Sequence, residues 1–294
     1  MILQKLKQHL LDCPDWLPDN TQYLVRMGSE AYGVSSNDSD VDFYGFTIPP
    51  KTDVFPYQFG GEILGFGEPY EPFTTWQQHH VKDTGAEKEY DFAVYSIVQY
   101  FNLCMQCNPN MIDSLFVPER CLHHVTSVGR MVRDNRHLFL HKGCWARFKN
   151  YAYDQIHKLD IKKPKGKRKQ LVDLYGFDTK FAYNCPRLLS EVEQILTEGT
   201  LDLERNREQL KAIRRGEWTK EQLYQYFTDK EKQLEKAYTE SNLPALPDVG
   251  KIKTLLINCL EHHFGSLANV ILIPEKLEET LRQIEQLCQK ALRP

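Results

Sequence analysis

The chain has 294 residues, of which 41% are hydrophobic and 26% charged, and its formal net charge is −3. This composition is typical of a folded globular protein and excludes a disordered chain, and the net charge does not by itself indicate a nucleic-acid binder. No apolar run approaches the roughly 18 residues that span a bilayer, and the N-terminal segment lacks a signal-peptide pattern. We therefore expect a cytoplasmic protein with no membrane partner and with reduced cysteines.

The first part of the chain alternates strand patterns with short helices. Strands are predicted at residues 23–27, 41–48, 63–66, 79–82 and 90–94, followed by a helix that Ser96 caps. Glycines and prolines between residues 60 and 72 predict a flexible insertion, of the kind that forms lids. From about residue 125 the pattern is helical, with helices predicted at residues 128–140, 145–159, 179–196, 219–238, 251–262 and 275–292. We predict an α+β fold with a head over residues 1–120 and an all-helical half over residues 121–294.

A glycine turn followed by a carboxylate pair is the most informative feature of the head. Gly28 and Ser29 follow the first predicted strand, and Asp40 and Asp42 stand at the start of the second. Because side chains alternate along a strand, both carboxylates are predicted on one face. Carboxylate oxygens suit Mg²⁺ (or Mn²⁺), and a glycine turn allows backbone N–H groups to approach a phosphate. Together they indicate phosphoryl transfer, whereas a lone Asp-x-Asp is usually a solvated turn.

Two-metal phosphoryl transfer commonly uses a third carboxylate from a neighbouring strand. Asp91 is the best candidate, because alternation places it with Ala93 on one face of an otherwise apolar strand. An acid on such a strand needs a partner, and a metal ion is one. Glu87 and Glu89 are alternatives in the polar approach to the strand.

A polar stripe is predicted on the helix at residues 179–196. Lys180, Asn184, Arg187 and Glu191 are four, three and four residues apart, a spacing that places them on one helical face. Lys180 and Arg187 are candidates to hold a triphosphate, although an ordinary solvated face has the same spacing. Pro186 removes a helical hydrogen bond beside this stripe.

A dense basic segment precedes that helix. Residues 162–169 contain six Lys or Arg together with Pro164 and Gly166, which predicts a basic loop. Such a loop can contact a nucleic-acid backbone or polyphosphate, or be a solvated loop without a partner. Cys104 and Cys107 favour core packing over zinc, because no second Cys-x-x-Cys follows. Cys259 with His262 and His263 is a weaker metal suggestion.

These motifs, in this order, resemble those of the DNA polymerase β-like nucleotidyltransferase superfamily, and more narrowly those of its RNA-repair-associated family. The resemblance covers roughly residues 20–265 and is carried by residues 28–29, 40–42, 89–96, 108–110, 141–143, 149–152, 178–183, 187–189 and 213–217. It implies a polymerase β-like head, in which a mixed sheet has flanking helices. It also implies that Asp40, Asp42 and Asp91 are the catalytic metal ligands and that Gly28 and Ser29 contact the nucleotide phosphates. The chain departs from the resemblance at Asn184, where that family usually has His.

The leading hypothesis is an enzyme that transfers a nucleoside monophosphate from an NTP, such as ATP, to a hydroxyl acceptor with Mg²⁺. Asp91 is expected nearest the attacking hydroxyl, where it can assist deprotonation. An RNA end is the expected acceptor, because the basic segment can follow a backbone without reading its sequence. One alternative is nucleotidylation of a protein, as in antitoxin-type relatives. The other is a catalytically silent nucleotide- or RNA-binding module.

Overall fold

The structure, a computed structural model, describes residues 2–7, 10–36, 39–55, 71–83, 89–161, 166–266 and 281–288. The strand predicted at residues 63–66 and nearly all of the insertion predicted at residues 60–72 lie outside the described residues. Of the last predicted helix, residues 281–288 are described, and they are helical.

One mixed sheet carries the site. Its described strands are ordered β3-β4-β2-β1-β5. Only the pair β2–β4 is parallel among them, and the other neighbours are antiparallel. The strands are β1 (Thr21–Arg26), β2 (Val41–Thr47), β3 (Thr75–Lys82), β4 (Glu89–Ser96) and β5 (Leu122–Val125). β5 follows the predicted boundary at residue 120 and still joins the sheet, and the division into two domains stays a prediction.

The remainder of the described chain is largely helical. In chain order its helices are α1 (Ile2–Lys7), α2 (Leu17–Asn20), α3 (Lys51–Val54), α4 (Ile97–Met105), α5 (Pro109–Phe116), α6 (Ser127–Asp134), α7 (Cys144–Ile161), α8 (Lys167–Tyr175), α9 (Thr179–Glu198), α10 (Arg207–Arg214), α11 (Lys220–Glu240) and α12 (Val249–Phe264). The predicted α+β class is confirmed, with a mixed sheet, flanking helices and a helical remainder.

The two faces of the sheet are covered by different helices. Leu3 and Leu17 of α1 and α2 pack with Phe43, Phe92 and Val94 on one face. The opposite face joins the larger core, in which α7 and α9 pack together and α10 and α11 pack on α9. Alternation along β2 and β4 therefore directs residues 42, 44, 91 and 93 toward the helical side.

Side-chain caps fix several helix starts. Ser96 caps α4 as predicted, since its hydroxyl accepts a hydrogen bond from the Gln99 N–H at 3.2 Å. Asn108 and Pro109 also begin a helix that the sequence did not predict, because the Asn108 side chain caps α5 and Pro109 occupies its first turn. The predicted helix at residues 179–196 is confirmed as α9, which continues through Pro186.

The prediction of a basic loop at residues 162–169 is wrong for its last three residues. Residues 162–165 lie outside the described part, but Lys167, Arg168 and Lys169 form the first turn of α8. No proline or glycine follows Gly166 until Gly176, so nothing in that stretch breaks a helix. The Arg168 guanidinium pairs with the Asp178 carboxylate at 3.0 Å and lies 4.2 Å from the centre of the Phe181 ring.

Candidate active site

The glycine turn and the carboxylate of Asp42 are in direct contact. β1 ends at Arg26, and the Met27 N–H donates to the Asp42 carbonyl at 2.8 Å, which holds the turn against β2. Gly28 has φ +62°, and a Cβ there would lie 2.1 Å from Asp42 Oδ2. Only glycine therefore permits both this backbone conformation and this carboxylate position. Ser29 continues the turn, and its carbonyl accepts a hydrogen bond from Val34 at 2.9 Å.

Asp42 and Asp91 lie side by side on neighbouring strands. They are register partners in the parallel pair β2–β4, in which neighbouring strands are about 5 Å apart. Asp91 Oδ1 accepts a hydrogen bond from the His80 N–H at 2.7 Å, and Asp91 Oδ2 lies 3.6 Å from His79 Nδ1. The predicted placement of Asp91 beside Asp42 is thus observed. Glu89 is instead engaged by Lys82 at 2.8 Å, and Glu87 lies outside the described residues.

Several charged groups act on the carboxyl of Asp42. Burial raises the pKa of its carboxyl, the Lys180 ammonium lowers it, and the negative charges of Asp91 and Asp40 raise it, so that the net direction is upward. Asp40 is exposed and immediately precedes β2. Three acids therefore share one region with the ammonium group of Lys180, and their combined negative charge attracts cations.

The donor chemistry fits a divalent metal, although the carboxylates do not converge into a ready ligand set. Within the described residues, no group of three His, Cys, Asp or Glu side chains is close enough to hold a metal ion. Asp91 is directed toward the N–H group of His80, which donates to its Oδ1 at 2.7 Å. In the described part of the chain, the Asp42 carboxylate has neither a hydrogen bond nor an ion pair within 4.0 Å, so its oxygens are available to a hard cation.

A polar cleft of about 220 Å³ opens beside Asp42. The turn, β2, α5, α7 and α9 all contribute to its walls, which are formed by Met27, Gly28, Tyr32, Asp42, Tyr44, Asn110, Tyr151, Lys180, Tyr183, Asn184 and Arg187. The structure thus brings Gly28, Asp42, Lys180 and Arg187 together, as predicted from sequence. A larger groove of about 560 Å³, at the C-terminal ends of α9 and α11, contains none of the predicted site residues.

Lys180 and Arg187 occupy different environments in this cleft. Lys180 is exposed at the start of α9, and its charge acts on Asp42. Arg187 is buried: its Nη1 donates to Asp113 Oδ2 at 2.6 Å and to Glu191 Oε2 at 2.9 Å. Its guanidinium also lies 4.2 Å from the centre of the Tyr32 ring. The polar stripe predicted on α9 is real, but its second half is an internal ion network.

We predict that Lys180→Ala raises the apparent KM for NTP about tenfold, equivalent to roughly 1.4 kcal/mol, with little change in melting temperature. Lys180 is exposed and forms no ion pair with the described residues, so it should contribute little to folding, whereas its charge can hold a phosphate beside Asp42. Steady-state kinetics and thermal melts measure both effects, and Lys253→Ala on the exposed side of α12 is the matched control. A large stability loss at normal KM would make Lys180 a structural residue.

The cysteines of the other two metal suggestions lie in the core, whereas His262 is exposed and its Nε2 lies 2.7 Å from Ser127 Oγ. Cys104 and Cys107 are buried, which confirms their predicted core packing. Cys107 Sγ lies 3.0 Å from His141 Nε2 and 2.7 Å from Cys144 Sγ. Cys259 is buried as well, and all eight cysteines are free thiols.

Several residues of the cleft were not predicted from sequence. Tyr44 had a usable signal, because it stands two residues after Asp42 and so faces the same side of β2. Asn110 and Tyr151 come from helices far along the chain, and only the fold brings them to Asp42. Asp113 does not line the cleft but pairs with Arg187 beneath it, and it was missed because a single acid in an apolar helix has no distinctive spacing.

The sheet, the glycine turn and the paired aspartates define a polymerase β-like protein. A family model described as the RNA repair pathway DNA polymerase beta family matches residues 4–258. The chain belongs to this family, as its motifs predicted, and the family supports nucleotidyltransferase activity in general terms. No curated protein matches the chain. Among its described helices, none has both the length and the apolar character needed to cross a membrane.

Proposed function

We propose that this protein is a metal-dependent nucleotidyltransferase that transfers a nucleoside monophosphate from an NTP to a hydroxyl at an RNA end. The observation that carries the proposal is the pairing of Asp42 with Asp91 beside the Gly28 turn, at the mouth of a cleft that also contains Lys180. Membership of an RNA repair family supports the same reaction class.

Each residue has a proposed part in the reaction. Asp40, Asp42 and Asp91 would hold Mg²⁺ or Mn²⁺, which when bound neutralises phosphate charge and activates a hydroxyl. Gly28 and Ser29 are proposed to approach the phosphates through their backbone, since a side chain at residue 28 would collide with Asp42. Lys180 is proposed to neutralise the triphosphate, and Asp91 to accept the proton of the attacking hydroxyl. We propose that Arg187 acts in nucleotide binding through its contact with Asn184.

The acceptor is proposed to follow the basic segment. Residues 162–169 contain six Lys or Arg, and Arg168 is already committed to Asp178 and Phe181, so the remaining lysines are the candidates for RNA contact. Phosphate neutralisation releases counterions, which makes RNA binding weaken with salt.

We predict that Lys163, Lys165 and Lys169, changed together to Ala, reduce the slope of log Kd against log salt by about 2, or roughly 0.7 for each lost contact with single-stranded RNA. Arg168 is left intact because its loss would disturb the start of α9. NTP affinity should stay unchanged, and a triple variant at Lys232, Lys236 and Lys253 is the control. An unchanged slope, or no RNA binding by the unmodified protein at low salt, would remove the segment from the acceptor site.

The function itself is tested with α-labelled NTPs. The protein is incubated with each NTP and Mg²⁺, in the presence of either RNA with a free 3′ hydroxyl or a cytosolic protein extract. We expect covalent label in RNA. Label in protein alone would instead support protein nucleotidylation, and label in neither, despite NTP binding, would support a silent binding module. The cytoplasmic location expected from the sequence stays a prediction.

A further inference from the structure

Asn184 presents its amide to the cleft in one fixed orientation. Its Oδ1 accepts a hydrogen bond from the Arg187 Nε–H at 3.2 Å. Every nitrogen of a guanidinium is a donor, so the atom that faces Arg187 must be the amide oxygen and not the amide nitrogen. The Nδ2 group, with two N–H donors, is therefore left for whatever occupies the cleft.

Arg187 is held in place, so its hydrogen bond to the Asn184 amide oxygen is not easily broken. The guanidinium is held by two carboxylates and covered by an aromatic ring, and the side chains of Arg187, Asp113 and Glu191 are only 4%, 0% and 3% exposed. Moving Arg187 would leave two buried carboxylates without their counter-ion. A free asparagine can rotate its amide to serve either a donor or an acceptor, but rotating Asn184 would place an N–H group against another N–H group. The ion network thus fixes the Asn184 amide so that it can offer only N–H donors, and no acceptor, to a ligand in the cleft.

The surroundings of Asn184 suit a flat aromatic ligand. Tyr44, Tyr151 and Tyr183 line the same cleft, and such rings stack on nucleobases. In the described part of the chain, no residue accepts a hydrogen bond from Asn184 Nδ2. A ligand that covers this half-buried donor removes it from water, so a ligand acceptor there is favourable and a ligand donor is costly.

We infer that Asn184 is a specificity-determining residue that donates to O4 of uracil or O6 of guanine, so that NTPs with these bases are favoured over those with cytosine or adenine. Uracil and guanine present an oxygen where cytosine and adenine present an amino group. The amino group would face the fixed Nδ2 donor and leave both unpaired. The inference rests on the proposed function, because it places the NTP base in this cleft.

Equilibrium binding of all four NTPs and their deoxy forms, with Ca²⁺ replacing Mg²⁺ to prevent turnover, tests this inference. For the unmodified protein, we expect about tenfold tighter binding of the keto pair than of the amino pair. Asn184→Asp replaces the donor with an acceptor and should reverse the order, even though its added charge weakens every NTP. Asn184→Ala should bring the four affinities close together. Asn102→Ala, on the exposed side of α4, is the control and should keep the original order.

The outcomes separate the inference from the function on which it rests. If the unmodified protein binds no NTP, the proposed function fails. If it binds NTPs but prefers the amino bases, or if both Asn184 variants change all four affinities by one common factor, only the base-reading role is overturned. If the Asn184 variants change only the ratio of NTP to dNTP affinity, the Asn184 donor contacts the sugar. That result would also overturn the base-reading role.

Discussion

Asp42→Asn is expected to lower nucleotidyl transfer by about 10²- to 10³-fold with every NTP and every acceptor, the loss typical of removing one preorganised electrostatic group. Asp42 is related to three other predicted site residues: it contacts Gly28, is the register partner of Asp91, and has its pKa lowered by the charge of Lys180. Asparagine keeps its size but not its charge. Labelled transfer at saturating NTP measures the loss, and Asp134→Asn, at the exposed end of α6, is the matched control.

The same variant should be more stable than the parent protein at neutral pH. Burial and neighbouring acids raise the pKa of Asp42 in the folded state above its ordinary value of 3.8, so ionising it opposes folding. Below pH 3.8 the carboxyl is protonated in both states and the substitution should have little effect on stability. As the pH rises the unfolded chain loses this proton first, and the melting temperature of the parent should fall below that of Asp42→Asn. Equal activity, or lower stability at neutral pH, would contradict the account of this residue.

Arg187→Ala is expected to cost about 3–5 kcal/mol of folding free energy, because it leaves Asp113 and Glu191 buried without a counter-ion. Burial raises the pKa of both carboxyls even with Arg187 present, and its removal raises them further. Ionising them is then more costly, so the loss should grow as the pH rises through the raised folded-state pKa values of these carboxyls in the parent protein, and shrink in acid. Urea unfolding at several pH values measures the effect.

Arg205→Ala is the matched control, because Arg205 pairs with Glu198 at the exposed end of the same helix. That substitution should cost no more than about 1 kcal/mol. If Arg187→Ala does not fold, Arg187→Lys keeps the charge but loses the fork geometry and should show a smaller loss of the same sign. Normal stability of Arg187→Ala with a selective loss of NTP affinity would instead make Arg187 a direct ligand of the triphosphate.

The strands that carry the acids could be predicted because their signals are local. Apolar residues alternate with Asp42 and Asp91 along their strands, so the apolar side chains face one side of the sheet and each acid faces the other. This pattern is sufficient to predict both the strand and the face on which the acid lies. Gly28 was predictable for a similar reason, since a glycine directly after a buried strand marks a turn. The family motifs added the order of these elements.

Properties that depend on distant segments could not be predicted. The spacing of Arg187 and Glu191 is identical for a solvated helical face and for an internal ion network, and only Asp113, contributed by α5, distinguishes the two. The start of α8 was missed because Pro164 and Gly166 suggested that the whole basic segment was irregular. The tyrosine walls of the cleft come from the turn, β2, α7 and α9, so no sequence window contains them.

The most direct test of the central claim compares α-labelled with γ-labelled NTP in a reaction with Mg²⁺ and RNA that has a free 3′ hydroxyl. Nucleotidyl transfer retains the α-phosphate and releases the other two. We therefore predict that RNA becomes labelled from the α position only, that pyrophosphate appears in equal amount, and that Asp42→Asn lowers both products by about 10²- to 10³-fold. Label in RNA from the γ position, or full transfer by Asp42→Asn, would contradict the account.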